Sequence, residues 1–141
     1  MQLLLPQFSG GGKAIVKRWT ILALGAAAIA AVVPMAAHAA GDAARGKAVF
    51  LQCRACHSLN EGQNGVGPSL HGLIGRKAGT APDFAYSPFM KRSGITWTAA
   101  ALKEYLPDPQ AKVPGTKMTF LGIKDPQQLD DLIAYLLEAA K

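Results

Sequence analysis

The clearest hydrophobic pattern lies at the C-terminal end of the chain. Five apolar residues recur there at the three- and four-residue spacing of one helix face: Leu129, Leu132, Ile133, Leu136 and Ala140. Asp125, Pro126 and Gln128 precede them at the N-cap, N1 and N3 positions, close to the pattern of a capping box. The pattern therefore predicts a helix that begins after Asp125 and buries one face.

Three shorter helices are predicted upstream. Asp42 can cap a helix over residues 43–51, in which Gly46 lies one turn before Phe50. Glycine weakens a helix interior, so we interpret Gly46 as a point where another helix approaches closely. Ser87 and the following proline start a second short helix, which ends before residue 94. Thr98 starts a third, over residues 99–106, which ends at a proline.

Two long segments show no helical or strand periodicity. Residues 60–80 contain six glycines and Pro68, and residues 108–122 have Pro114 and Gly115 at their centre. Loops of this length in a compact domain usually have a function, and wrapping a cofactor is one. With no repeat and no alternating strand pattern, the sequence predicts an all-α fold of short helices and long loops.

The first 40 residues differ in character from the rest. Lys13, Lys17 and Arg18 precede an apolar run, which is followed by Pro34 and the small residues 36–40. This order is typical of a secretory signal peptide. We predict a signal peptide over residues 1–39, cleaved near Ala39 or Ala40, and one domain over residues 40–141. The alternative is an uncleaved membrane anchor, since about 20 apolar residues can span a bilayer; Pro34 and the small residues favour cleavage.

Charge adds little once the leader is set aside. The whole chain has a formal net charge of +6, but from Gly41 onward 12 basic and 9 acidic residues leave only +3. This surplus is too small to indicate nucleic-acid binding. It is compatible with attraction to an acidic protein partner.

One motif carries specific chemistry. Cys53, Cys56 and His57 form a C-x-x-C-H sequence, and these are the only two cysteines of the chain. The motif is typical of c-type haem attachment. Each thiol adds to one haem vinyl group, and the adjacent histidine then lies beneath the iron. The sequence therefore predicts one covalently bound haem c.

The two cysteines are compatible with three other kinds of site. A disulfide oxidoreductase also uses C-x-x-C, but beside a βαβ pattern that the sequence lacks. A structural zinc site needs four ligands, and only His71 remains to complete the set. A plain disulfide suits an exported protein but leaves the long loops unexplained.

The second axial position of the iron has three candidates in the domain: His71, Met90 and Met118. A methionine on a helix is usually core filler, which fits Met90. Met118 instead lies in a turn-rich loop, 61 residues after His57, so the chain can reach the opposite haem face. We predict that His57 and Met118 are the iron ligands. With both axial positions filled, the site favours electron transfer over substrate binding.

The chain resembles the class I c-type cytochromes, the family of mitochondrial cytochrome c and small bacterial cytochromes. The resemblance covers nearly all of residues 41–141 and rests on ordered motifs: Gly46 with Phe50, Cys53 to His57, Gly67 to Arg76, Gly94 to Trp97, Pro114 to Met118, and Leu132 to Leu136. It implies the cytochrome c fold around one covalently attached haem.

The resemblance also implies roles for further residues. The carbonyl of Pro68 would accept a hydrogen bond from His57, which fixes the ring. Arg76, Tyr86 and Trp97 match positions that bind the haem propionates. Tyr105 and Thr116 match hydroxyls near the methionine ligand and the inner propionate. Without the resemblance, Trp97 and Tyr105 would be interpreted as core aromatics and Arg76 as a surface charge.

Two departures from the mitochondrial proteins stand out. The stretch from Phe50 to Cys53 is one residue shorter, and Met90 replaces a haem-pocket asparagine. The second change removes a polar group, so the reduction potential is not transferable from those proteins.

The implied function is one-electron transfer, not catalysis. The expected donors are a cytochrome bc complex or a dehydrogenase, and the expected acceptors an oxidase or a reaction centre. We expect a periplasmic monomer with no small-molecule substrate. Lys117, Lys112, Arg54 and Lys91 were expected around the exposed haem edge. A haem peroxidase is the alternative function, and the two filled axial positions argue against it.

Overall fold

The computed structural model describes residues 41–141, so the signal peptide predicted over residues 1–39 lies outside the described residues. The described part contains six helices: α1 (Ala43–Val49), α2 (Leu51–Arg54), α3 (Pro88–Lys91), α4 (Ala99–Tyr105), α5 (Pro109–Lys112) and α6 (Pro126–Ala139). One isolated antiparallel bridge joins Lys77 and Thr96, and residues 41–141 contain no longer strand. The all-α prediction is confirmed.

The helix starts follow from the capping side chains. Asp42, Ser87, Thr98 and Asp125 each accept a hydrogen bond from a backbone N–H of the first turn, as predicted. The first helix is shorter than predicted, because α1 ends at Val49 and α2 begins two residues later.

The prediction of an irregular segment over residues 108–122 is wrong at its beginning. Asp108 accepts a hydrogen bond from the N–H of Ala111 and caps α5, with Pro109 as the first helical residue. The same pairing of cap and proline identified α3 and α6 from the sequence. In this segment Pro107 and Pro109 indicate the end of the preceding helix, and that signal masks the helix start at Asp108.

The N-terminal and C-terminal helices pack against each other at a glycine. A Cβ atom at Gly46 would overlap the backbone carbonyl of Asp131, so only glycine allows this approach of α1 to α6. One turn later, the rings of Phe50 and Tyr135 are in contact, with centroids 5.3 Å apart. The sequence-based interpretation of Gly46 is confirmed.

A buried carboxylate joins the same two helices. Asp131 is 3% exposed and accepts hydrogen bonds from Arg45 Nε at 2.7 Å, from the N–H of Asp42 at 2.7 Å and from Gln127 Nε2 at 2.9 Å. The hydrogen bond from the Arg45 guanidinium, with help from the Asp42 N–H, holds the pKa of Asp131 well below its usual range. The start of the domain is therefore fastened to its last helix.

Between α2 and α3 the chain forms a long loop without a helix. Side chains fasten this loop internally: Asn64 Oδ1 accepts from the N–H of Ser69 at 2.9 Å, and Asn64 Nδ2 donates to the carbonyl of Pro82 at 3.0 Å. Ser69 Oγ donates to the carbonyl of Asn60. The loop is thus a defined structure that forms one wall of the domain.

Within residues 41–141, every helix is too short or too polar to cross a bilayer.

We predict that Asp131→Asn lowers the thermal unfolding midpoint at pH 7 by several degrees, because Arg45 loses its buried carboxylate partner. The pKa of Asp131 is lowered in the folded protein, so this stabilisation is complete above the ordinary aspartate pKa of about 4 and is lost as pH falls below it. In thermal melts of both proteins, the difference between the midpoints should therefore narrow as pH falls from 7 to 2.5.

The matched control is Asp130→Asn. Asp130 pairs with Lys103, and because the two side chains are 16% and 56% exposed, solvent weakens this pair more than it weakens the pair of Asp131 with Arg45. An equal decrease in the midpoint for the two variants at pH 7 would contradict the role assigned to Asp131.

Candidate functional site

A cavity of about 390 Å³ lies between the long loop, α4, α6 and the segment that follows α5. This volume is typical of small-molecule and cofactor sites. The ten site residues predicted from the sequence all line it: Cys53, Cys56, His57, Pro68, Arg76, Tyr86, Trp97, Tyr105, Thr116 and Met118. Residues that are far apart in the sequence are thus brought to one site.

The two cysteines line the cavity as separate thiols. Cys53 belongs to α2 and Cys56 to the turn that follows it. Burial, with a smaller contribution from Cys56, raises the pKa of the Cys53 thiol to about 11. A disulfide oxidoreductase needs the opposite shift, towards a thiolate at neutral pH. Among residues 41–141, no group of three or more His, Cys, Asp or Glu side chains is arranged to hold a metal ion.

The ring of His57 is held in one orientation. Its Nδ1 lies 2.7 Å from the carbonyl oxygen of Pro68, and since a carbonyl can only accept, Nδ1 carries the proton. Burial lowers the pKa of His57, against the opposing effect of that carbonyl, so the imidazole is neutral at pH 7. Its Nε2 therefore keeps a free lone pair, as a metal ligand requires.

Gly67 allows this arrangement. A Cβ atom at Gly67 would come within 2.7 Å of both nitrogens of the His57 ring. Any larger residue would push the ring out of its position. The Gly67-Pro68 pair therefore contributes space through the glycine and an acceptor through the proline.

Met118 lies on the cavity wall among three polar side chains. The hydroxyl of Tyr105 is 3.5 Å from Met118 Sδ and 3.4 Å from the hydroxyl of Thr116. Burial raises the pKa of Tyr105, so its hydroxyl stays protonated and remains a donor. Gln110 Nε2 donates to the carbonyls of Met118 at 2.8 Å and Thr116 at 3.2 Å.

Gln110 was not identified from the sequence. It lies in α5, the helix that was missed, and an isolated glutamine gives no pattern signal. Recognition of the Asp108-Pro109 helix start would have placed Gln110 one turn before the Met118 loop.

Arg76, Tyr86 and Trp97 occupy another part of the lining. Arg76 donates to the carbonyls of His71 at 2.7 Å and Ser69 at 2.9 Å, and so fastens the long loop from within the cavity wall. Burial raises the pKa of Tyr86, opposed by the positive charge of Arg76. Trp97 packs edge-on against Tyr105, with ring centroids 5.0 Å apart. Tyr86 packs edge-on against Phe84, with ring centroids 4.8 Å apart, so each of the three has a structural contact besides its place at the cavity.

The remaining residues singled out in the sequence differ in whether they line the cavity. His71 does not line the cavity, whereas Met90 is buried and does. Of the four basic residues expected around the haem edge, only Lys117 lines it. Lys112 instead pairs with Glu104 at 2.5 Å. Arg54 and Lys91 lie outside the lining.

Comparison with known proteins identifies the family. The family model for cytochrome c matches residues 43–140. The chain belongs to the cytochrome c family. It is 56% identical over 108 residues to cytochrome c2 of Blastochloris viridis. The aligned region covers 76% of this chain and 83% of the relative. It is 55% identical over 102 residues to cytochrome c-550 of Nitrobacter winogradskyi, covering 72% and 94% of the two chains.

A solved structure supports the fold independently of the motifs. Cytochrome cH from Methylobacterium extorquens superposes with a TM-score of 0.65 at 55% identity, and the match covers 69% of this chain and 98% of that one. The fold of residues 41–141 is therefore the cytochrome c fold, as the sequence predicted.

The family settles the class of cofactor and the kind of activity. This cytochrome carries one covalently attached haem c and transfers single electrons between redox partners; it is an electron-transfer protein rather than an enzyme. The donor set fits the group, because two thiols, a neutral imidazole and a thioether all line one cavity.

We predict that Cys53 and Cys56 both hold the haem through thioether bonds. Haem staining should leave colour on the polypeptide in a denaturing gel, and the intact mass should exceed that of the chain by one haem. In the variant with Cys53→Ser and Cys56→Ser combined, the staining should disappear. Colour that acidified solvent extracts from the unaltered protein would refute covalent attachment.

Proposed function

We propose that this cytochrome is an exported electron carrier whose haem iron is ligated by His57 and Met118. The observation that carries the proposal is the shared cavity: the His57 ring and the Met118 sulfur line the same space from two distant segments. His71 is absent from the lining, and the remaining competitor is Met90.

The surroundings of the two side chains differ in a way that favours Met118. The Met118 sulfur has the hydroxyl of Tyr105 at 3.5 Å, and its backbone is held by Gln110. Met90 belongs to α3, where its N–H is bound by the cap Ser87, and its side chain is 6% exposed. We interpret Met90 as cavity wall and Met118 as ligand.

When bound, the haem supplies an iron that alternates between the ferrous and ferric states. The protein's own residues fix and insulate it. Pro68 holds the proton of His57 on Nδ1, so the other ring nitrogen keeps its lone pair for the iron. The Tyr105 hydroxyl withdraws electron density from the Met118 sulfur, which favours the reduced state. The largely apolar lining excludes water and lowers the local dielectric constant.

Replacement of Met118 tests the ligand assignment. We predict that Met118→Ala abolishes the weak sulfur-to-iron band near the red end of the ferric spectrum and lowers the reduction potential, because the thioether favours ferrous iron. Met90→Ala is the matched control and should keep the band. An anaerobic redox titration with optical spectra measures both quantities. The reverse result, loss of the band in Met90→Ala alone, would refute the assignment.

The leader belongs to the same proposal. We infer that residues 1–39 direct export to the periplasm and are removed near Ala39 or Ala40, which leaves the domain that begins at residue 40. The basic, apolar and small-residue order of the leader supports this. The intact mass of the purified protein tests it, since cleavage at either alanine and retention of the leader give different masses.

The partners are proposed from charge and from the family. We infer that a cytochrome bc complex or a dehydrogenase donates the electron, that an oxidase or a reaction centre accepts it, and that the carrier is a monomer. Lys117 is the basic residue best placed to meet an acidic partner, since it lines the cavity and is exposed. Its Nζ donates to the carbonyl of Ala85 at 2.8 Å. Because a carbonyl is uncharged, this hydrogen bond does not neutralise the positive charge of Lys117.

We predict that Lys117→Glu slows electron transfer to an acidic acceptor at low salt, because charges at the rim act mainly on the association rate. The difference should shrink towards physiological ionic strength, where screening acts over about 8 Å. Lys141→Glu makes the same charge change at an exposed residue outside the cavity lining. Stopped-flow rates at several salt concentrations measure the effect, and equal slowing by the two variants would exclude a local docking charge.

A further inference from the structure

One exposed aromatic ring packs against the loop that carries Met118. Phe89, the second residue of α3, is 53% exposed and does not line the cavity. A Cβ atom at Gly115 would lie 2.5 Å from its Cδ2, 2.8 Å from Cε2 and 3.0 Å from Cγ. The ring therefore contacts the glycine backbone directly, with no side chain between them.

The backbone of Gly115 is suited to this contact in two ways. Its φ is +85°, a conformation that favours glycine, and it forms the turn in which the N–H of Thr116 bonds to the carbonyl of Val113 at 3.0 Å. Three residues later the chain reaches Met118. The Phe89 ring, by its contact with Gly115, therefore packs against the tip of the loop that carries the Met118 sulfur.

Two neighbouring residues, Met90 and Arg92, restrict the position of the Phe89 ring. Met90, the next residue, is buried in the cavity wall and anchors α3 from within. The guanidinium carbon of Arg92 lies 5.6 Å from the centroid of the Phe89 ring, a distance at which a cation and an aromatic face attract each other. Met90 and Arg92 thus both favour the position in which the Phe89 ring lies over Gly115.

We propose that Phe89 is a positioning residue for the Met118 loop, residues 114–118: its ring holds the loop closed from the solvent side and so limits the replacement of the Met118 sulfur by an external ligand. This inference rests on the proposed ligation by Met118. Lys117, bonded to the carbonyl of Ala85, is the second contact between this loop and the segment around α3.

Imidazole is the probe, because it binds ferric haem only where the Met118 sulfur has left. We expect Phe89→Ala to raise the apparent imidazole affinity on the order of fivefold, which corresponds to about 1 kcal/mol in favour of the open loop. Phe89→Leu should restore most of the resistance, since a leucine still covers Gly115. The control Leu137→Ala removes an apolar side chain, 39% exposed on α6 and outside the cavity lining, and should leave the affinity unchanged.

A double-mutant cycle tests the contact itself. Gly115→Ala should weaken the sulfur-to-iron band, because its Cβ meets the Phe89 ring and its φ is strained. In the Phe89→Ala background only the strain remains, so Gly115→Ala should raise imidazole affinity by a smaller factor than it does alone. Equal factors in the two backgrounds would show that the ring does not act through Gly115, and would overturn the proposal.

The remaining outcomes separate this inference from the ligand assignment. A normal sulfur-to-iron band with unchanged imidazole affinity in Phe89→Ala overturns the role of Phe89 alone, even if thermal melts show a lower midpoint. Absence of the band from the unaltered ferric protein overturns the ligation by Met118, and this inference with it.

Discussion

Many side chains in the core of this domain line the cavity as well as packing against one another. Leu102, Leu132 and Leu136 are buried core residues, yet each also lines the cavity. Side chains that line an unfilled apolar space lose packing contacts on one side, so this space has to be occupied for the core to be well packed. The haem is therefore part of the core as well as the redox centre, and the short helices depend on it for their packing.

The α1–α6 contact and the cavity are physically connected. Phe50 packs against Tyr135 on the helix pair and also lines the cavity, as do Leu132 and Leu136 on α6. The close approach at Gly46 thus positions the apolar wall of the site. Helix packing and cofactor binding therefore share residues in this fold.

Much of this arrangement was predictable from the sequence, because the signals are local. Helix starts follow from Asp42, Ser87, Thr98 and Asp125, whose side chains satisfy backbone N–H groups a few residues away. The C-x-x-C-H motif and the loop of Met118 indicated the cavity lining, with the help of the resemblance. Gly46 was interpretable because glycine destabilises a helix interior, so its presence there indicates a close packing contact.

Other features could not be predicted, because they depend on partners that only the folded chain brings together. The pairing of Lys112 with Glu104 follows from the position of α5 relative to α4. Arg76 binds the carbonyls of Ser69 and His71, which the sequence does not show. The Asp108-Pro109 pair could have indicated α5, but the hydrogen bond from Gln110 to the backbone of the Met118 loop depends on how the chain folds back there.

The bond from the N–H of Asp42 to Asp131 spans 89 positions of the chain, nearly the full length of the domain. During synthesis, the wall that α6 contributes to the cavity is absent until Pro126–Ala139 have been made. Closing so long a segment is also entropically costly and tends to occur late in folding. Cys53 and Cys56, by contrast, emerge early. The order of the chain therefore leaves the two thiols accessible for most of the time before the domain closes over them.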